Sequence, residues 1–252
     1  VLFYICFLPL LALSQVQEGL ITDRPDKTES SRAVPFKTVQ VESGALFEQD
    51  DNDAVKSTRW AYNSTLIRLG VYKGVELRLE QGYETEKQEF KSSQVSGKFK
   101  GFTPFGLGTK VNLTKEKGPI PEMALLAHVY VPQTGSGNYK SNIWSSNIIL
   151  SAAYGISDKL DIGFNLGIEN EDWKNNAGLY SIAAGFGIVE KLGGYVEAFG
   201  DFSDEGHGLM LDGGFTYLVL NNLQLDLSGG FGITGPATGY FISGGVSLRL
   251  PK

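Results

Sequence analysis

Cysteine is nearly missing from this sequence, with one in 252 residues, at position 6. That excludes a disulfide scaffold and any cysteine-based metal cluster. Histidine is almost as scarce: His128 and His207 are the only two. They show no metal-ligand spacing, and no G-x-S-x-G motif supplies a nucleophile for them. A phosphate-cradling loop of the form G-x-x-x-x-G-K-S/T is also absent. Basic charge is not in excess, since the formal net charge is −6. That argues against a nucleic-acid partner. Beyond residue 14 no apolar run reaches the about 18 residues of a membrane helix, which excludes a helical membrane protein.

Glycine is abundant, at 32 residues, and aromatics make up 12%. With 42% hydrophobic residues the chain is too apolar to be disordered. Residues 1–14, VLFYICFLPLLALS, read as the apolar core of a secretory signal peptide that is removed. Ala12-Leu13-Ser14 fits the small-x-small rule and places cleavage before Gln15. The run is too short to cross a bilayer, which takes about 20 residues.

Alternation at period two fills the remainder. Val75, Leu77 and Leu79 alternate with Glu76, Arg78 and Glu80. Leu160, Ile162, Phe164, Leu166 and Ile168 alternate with Asp161, Gly163, Asn165 and Gly167. Twelve such segments are predicted, near 37–48, 58–71, 75–84, 102–114, 122–132, 145–156, 160–169, 177–188, 192–202, 207–219, 223–234 and 239–250. Most are longer than a soluble strand and match the about 9–11 residues of a membrane-crossing one. Tight connections such as Tyr72-Lys73-Gly74 and Ser157-Asp158-Lys159 alternate with longer polar links at 49–57, 85–101, 133–144 and 170–176.

An even strand count with tight turns on one side is the layout of an all-β, transmembrane, antiparallel up-and-down barrel over 37–252, with both termini on the periplasmic side. A soluble β-sandwich shows the same alternation. The barrel is favoured by strand length, link lengths and glycines on the polar face: Gly106, Gly108, Gly163, Gly167, Gly230, Gly232 and Gly245. Tyr154, Tyr217, Trp144 and Tyr240 fall near strand ends, as interfacial aromatic belts do.

Parity assigns the candidate lumen residues: Glu42, Arg68, Glu76, Arg78, Glu80, Lys110, His128, Asp161, Glu197, Asp201, Asp212, Asp226 and Arg249, with Glu48 on the same side. Acids outnumber bases, which favours cations in a water-filled bore. The same charges suit a structural ladder of cross-strand ion pairs, for example Arg68 beside Glu76 to Glu80. Residues 15–36 lack alternation and hold Pro25 and Pro35. They read either as a flexible periplasmic lead or as a plug in which Asp23, Arg24 and Asp26 pair with lumen charges.

The stretch Ile21-Thr22-Asp23-Arg24-Pro25-Asp26-Lys27-Thr28-Glu29-Ser30, followed by Val34-Pro35 and Val39 to Gly44, resembles the opening of a bacterial outer-membrane family. That family is known as putative MetA-pathway of phenol degradation proteins, or simply as transporters. Thr103 to Lys110, Asp212 to Tyr217 and Gly244 to Arg249 agree in kind. The resemblance implies a Gram-negative outer-membrane β-barrel of the Bacteroidetes type. It also implies passage of small solutes, with hydrophobic or aromatic compounds suggested by the family name. Barrels of this kind often end in an aromatic residue; this sequence ends Leu250-Pro251-Lys252.

The resulting expectation is a passive channel in the cell outer membrane. Its partners are the lipid bilayer, lipopolysaccharide and a small solute, with no cofactor and no enzymatic site. The alternative is a non-conducting barrel that anchors or binds through its outer loops. A barrel phospholipase is disfavoured by the want of a Ser–His pairing.

Overall fold

A computed structural model describes residues 19–251 except 94, 171–175, 205 and 236–238. The predicted signal peptide and cleavage site lie outside the described residues.

The strands are β1 (Val39–Asp51), β2 (Val55–Tyr72), β3 (Val75–Gln81), β4 (Tyr83–Phe90), β5 (Ser96–Phe102), β6 (Phe105–Thr114), β7 (Glu122–Val131), β8 (Ser145–Ser157), β9 (Leu160–Asn170), β10 (Asn176–Val189), β11 (Leu192–Ser203), β12 (Gly206–Leu220), β13 (Leu223–Thr234) and β14 (Tyr240–Leu250). All pairings are antiparallel. β1 pairs with β14 from Val39–Leu250 to Gln49–Tyr240 and with β2 on its other side, so the sheet closes on itself. Closure through β1, β2 and β14 rules out the sandwich and leaves only the β5 end of the sheet as an edge.

The closed wall has twelve strands, because β3 with β4, and β5 with β6, are each one long strand broken in the middle. β3 pairs with the Thr65–Tyr72 half of β2 and with β6. β4 pairs with the Val55–Ala61 half of β2 and with β5. At the break Gly82 exchanges hydrogen bonds with Thr103, and the Asn63 side-chain oxygen accepts the Tyr83 N–H at 2.9 Å. A side chain thus replaces a lost rung of the ladder.

Two predicted links are corrected here. Residues 85–101 are not a loop but most of the β4–β5 hairpin, and 49–57 is strand except at 52–54. Both stretches are rich in charge because they extend beyond the apolar part of the wall, so apolar alternation misses them. The free edge of β5 is covered by the link after β7. Ser136 N donates to the Phe102 carbonyl (3.0 Å), and Lys100 N donates to Asn138 (3.2 Å).

Burial is inverted relative to a soluble protein. Leu166 and Ile168 are 65% and 62% exposed, while Arg68, Lys110, Glu42 and Glu76 are completely buried. An apolar outer face of this size is stable only against lipid, and buried charges persist only when paired.

Candidate functional site

The segment 19–36 runs inside the barrel, and its shape follows from its sequence. Pro25 and Pro35 and the absence of alternation keep it from joining the sheet. Thr22 and Ser30 shape it locally instead. The Thr22 hydroxyl donates to the Arg24 carbonyl (2.6 Å), and Ser30 donates from its N (2.9 Å) and hydroxyl (2.6 Å) to the Asp23 carboxylate. That closes a loop over 23–30, the kind of turn short polar side chains make.

Asp23 is the centre of the site. Its carboxylate accepts from Lys110 Nζ (2.8 Å) and Arg78 Nη1 (2.6 Å), and Arg68 Nη1 stands 3.1 Å away. These cations come from three neighbouring strands, β6, β3 and β2. Alternation turns each of them inward. Their own wall supplies two carboxylates, Glu42 and Glu76, both bonded to Arg68 at 2.9–3.0 Å. The inner segment adds Asp23 and Glu29, the latter 3.0 Å from Arg78 Nη2. Asp23 N also donates to Glu42 (2.9 Å) and Val34 N to Glu76 (2.6 Å). Burial alone pushes the Asp23 carboxyl up, but Arg68, Lys110 and Arg78 outweigh it and hold the group well below the usual carboxylate range.

Arg24 reaches the opposite part of the wall. Its Nη2 donates to Asp226 (2.8 Å) and Ser243 (3.0 Å). The guanidinium rests on Gly44 and Gly245, which face each other across β1 and β14. A Cβ at either position would lie 2.4 Å from the guanidinium group, so a side chain there would push Arg24 off this seat. Thr28 shares a hydrogen bond with Ser181 (2.7 Å) and donates to Glu197, which also accepts from Lys27 N (2.8 Å). The Asn165 amide, with its oxygen toward Glu29 N (2.6 Å), holds the Glu29 main chain. Arg32 pairs with Glu122.

The remaining lumen residues are less tightly gathered. His128 accepts from Arg78 Nε at 2.9 Å. Glu80 accepts from the Tyr130 hydroxyl (3.3 Å), Asp212 accepts from the Tyr195 hydroxyl (2.8 Å), and Arg249 donates to the Gly19 carbonyl (3.2 Å). Asp161 and Asp201 stand apart from the segment's ion pairs, in two separate cavities. Asp26 differs from expectation. Its neighbours are the acids Glu197, Asp23 and Asp212, and burial together with Glu197 pushes its carboxyl well above the ordinary range. His207 stacks on Phe202 and bonds the Tyr180 hydroxyl (2.6 Å).

Several partners escape the sequence reading: Glu29, Thr28, Arg32, Glu122, Asn112 and Gly44. Glu122, Asn112 and Gly44 stand in ordinary strand patterns, Asn112 accepting from Ala33 N at 2.8 Å, while Thr28, Glu29 and Arg32 lie in the segment that has no strand pattern. The signal that was available is density. Asp23 to Arg32 packs six charged residues into a stretch of the chain with no strand pattern. Among the described residues no group of His, Cys, Asp and Glu is arranged to hold a metal.

The segment leaves a cavity on each side of it, both along the β8–β12 wall. One, about 740 Å³, opens toward the long-link end and is lined by Lys27, Asn165, Glu169, Leu179, Phe199 and Asp201. The other, about 520 Å³, opens toward the termini and is lined by Asp26, Thr28, Asp161, Gly163, Ala183 and Gly194 among others. Thr28 with Ser181, and Glu29 with Asn165, form the septum between them.

At its exit the segment is held backbone to backbone. Lys37 N donates to the Gly70 carbonyl (2.8 Å), and Gly70 N donates to the Thr38 carbonyl (2.9 Å). A Cβ on Gly70 would lie 2.0 Å from the Pro35 carbonyl oxygen. Gly70→Ala should therefore lever residues 34–36 off the wall, at about 1–3 kcal/mol. The expected result is faster trypsin cleavage at Lys27, Arg32 or Lys37, by about tenfold for each 1.4 kcal/mol lost, with an intact barrel. Unchanged cleavage would mean that the exit is not held at Gly70.

The comparisons agree with this architecture. The sequence family described as "Putative MetA-pathway of phenol degradation" matches residues 22–250. No curated protein matches. Among solved structures, the COG4313 outer membrane channel from Pseudomonas putida F1 is similar at TM-score 0.64 and 8% identity, over 88% of this chain and 98% of that one. The translocator domain of autotransporter NalP from Neisseria meningitidis is similar at 0.58 and 11%, over 85% and 89%. A KdgM porin solved in complex with oligogalacturonate is similar at 0.54 and 10%, over 83% and 98%. At these identities the likeness is one of fold.

Proposed function

We propose, from the premise that this chain belongs to the putative MetA-pathway of phenol degradation family, that it is an outer-membrane channel for passive passage of small solutes, closed at rest by its own residues 19–36. One observation carries the reading. A non-sheet segment threads the bore and sets Asp23 among three buried cations, leaving a vestibule on either side. Side chains from the wall fill the interior of an eight-stranded barrel, whereas a twelve-stranded bore is wider, and here the threaded segment occupies it. The outer-membrane channel among its structural neighbours supports the same reading.

The charges sort the passage. The bases gather on β2, β3 and β6, where the segment covers them. The vestibules face more acids than bases: Glu169, Asp201 and Asp204 against Lys27 on one side of the septum, and Asp26, Glu29, Glu116, Glu122 and Asp161 against Arg24 and Arg32 on the other. A path opened along the β8–β12 wall favours cations and neutral molecules over anions. Leu179, Phe199 and Met210 give the outer vestibule an apolar share that suits neutral or aromatic solutes.

The test is planar-bilayer recording of the purified, refolded chain with its cation/anion permeability ratio. Rare, stable steps with cation preference are expected. Anion preference would overturn the assigned path. Silence both with and without residues 15–35 would favour a non-conducting anchor.

A further inference from the structure

We propose that the outward face of the β4–β5 hairpin is a binding site for a lipid A-type glycolipid whose phosphate monoesters are held by Lys87, Lys98 and Lys100. The proposal needs the outer-membrane location and is independent of conduction.

The membrane boundary on this sector is written in aromatic rings. Tyr240, Phe47, Trp60, Tyr62, Tyr83 and Phe102 form an unbroken chain across β14, β1, β2, β4 and β5, with successive centroids 5.9, 4.7, 6.4, 6.1 and 5.1 Å apart. Such a row marks the interface between hydrocarbon and headgroups. It lies toward the end of the barrel opposite the termini and tight turns, which is the outer leaflet.

The lysines stand just above that row on the same face. Lys100 is two residues beyond Phe102, and Lys98 four. At about 3.4 Å per residue and a tilt of about 40°, they rise about 5 and about 10 Å above the ring row. Lys100 therefore lies at the depth of the headgroup layer, about 5–8 Å on each side of a bilayer, and Lys98 and Lys87 just beyond it. Lysine stems are flexible enough to reach the rest.

The charge on this hairpin is segregated by face. Inward rungs carry Glu84 and Glu86, near Arg59 and Glu48. Outward rungs carry four lysines and two acids: Lys56 lies directly between Asp51 and Glu89 in register, Glu89 also pairs with Lys87, and Asp51 pairs with Lys91 of the turn at 2.7 Å, which leaves Lys98 and Lys100 in excess beside Lys87. Lys87 and Lys98 are direct cross-strand partners. Like charges so placed repel and destabilise the pair, unless an anion sits between them. Phosphate monoesters carry close to two negative charges each at neutral pH and take more than one lysine apiece. A bis-phosphorylated glycolipid brings two such groups to Lys87, Lys98 and Lys100, whereas a phosphodiester headgroup offers a single charge.

The experiment is a binding titration of the full chain in detergent with bis-phosphorylated lipid A, with the same lipid after phosphatase treatment, and with phosphatidylglycerol. K87Q/K98Q/K100Q is compared with K117Q/K159Q/K191Q, which removes equal charge from the opposite end. Three lysines at the strength usual for such surface contacts correspond to about a hundredfold in affinity. The expected result is a loss of that order in the first variant and on dephosphorylation, and none in the second variant. Equal binding of the two lipid A forms, equal binding of phosphatidylglycerol, or a first variant as tight as the wild type would overturn the site. A silent channel that still prefers phosphorylated lipid A leaves it standing.

Discussion

Deleting residues 15–35 should turn a channel that is closed most of the time into one with long-lived steps of several times the intact conductance. The deletion removes the loop that separates the two vestibules and merges them into one bore along β8–β12. The wall itself does not depend on the segment for its ladder, since β1 closes on β14 and β2 by eleven or more paired residues on each side. Barrel strand content and resistance to heat in detergent are therefore expected to survive. A bare lumen exposes Arg68, Arg78 and Lys110 to water, with only Glu42 and Glu76 beside them. The cation preference should accordingly fall relative to the intact channel, because three uncovered bases now face the solute. Both readouts come from one bilayer recording. An unchanged conductance in a folded deletion variant would sink the plug.

Asp23→Ala should release the segment without unfolding the barrel. The substitution leaves three fully or nearly fully buried cations short of the carboxylate that bridges them, at 2.6–3.1 Å in the intact chain. Removing one partner from a buried ionic cluster costs about 3–5 kcal/mol. That is more than a hundredfold in the ratio of docked to undocked segment. Ser30 loses its acceptor as well, so the 23–30 loop opens with it. The expected signature is a higher open probability together with rapid tryptic cleavage at Lys27 or Arg32, against unchanged strand content. Asp23→Asn keeps the shape and one acceptor and should fall between the two. A variant that stays closed and protease-resistant would show that the latch lies elsewhere, in Arg24 on Asp226, Glu29 on Arg78 or Arg32 on Glu122.

Acid should not mimic this mutation. The Asp23 carboxyl is held well below its ordinary value, so its contribution is in place at neutral pH and is lost only as pH falls through that depressed value. Asp26 is shifted upward, so protonating it relieves a penalty and favours docking. Between pH 7 and pH 5 the segment is expected to stay bound.

The strands were legible because lipid imposes a rule the sequence has to obey. Every outward residue of a crossing strand is apolar and every second residue is released from that demand, so Leu160 to Ile168 or Val75 to Leu79 declares both its strand and its faces. The charged lumen set followed from the same parity, as did the number of wall strands. The rule ends where the lipid ends. Above the ring row neither face of β4 and β5 has to be apolar, so Glu84 to Lys100 reads like a loop while the backbone continues to pair.

What the sequence by itself determined is thus the barrel, its inside and its outside. Only the tertiary structure decided how the inside is used. Parity says that Arg68, Arg78 and Lys110 face inward, but not that three different strands bring them to one carboxylate at position 23. That meeting depends on the shear of the closed sheet, on the Gly44–Gly245 bed that seats Arg24, and on a segment with no period of its own. A chain without regular structure takes its conformation from its partners, and those partners lie from 19 to more than 200 residues away in sequence. No local pattern encodes contacts at that range.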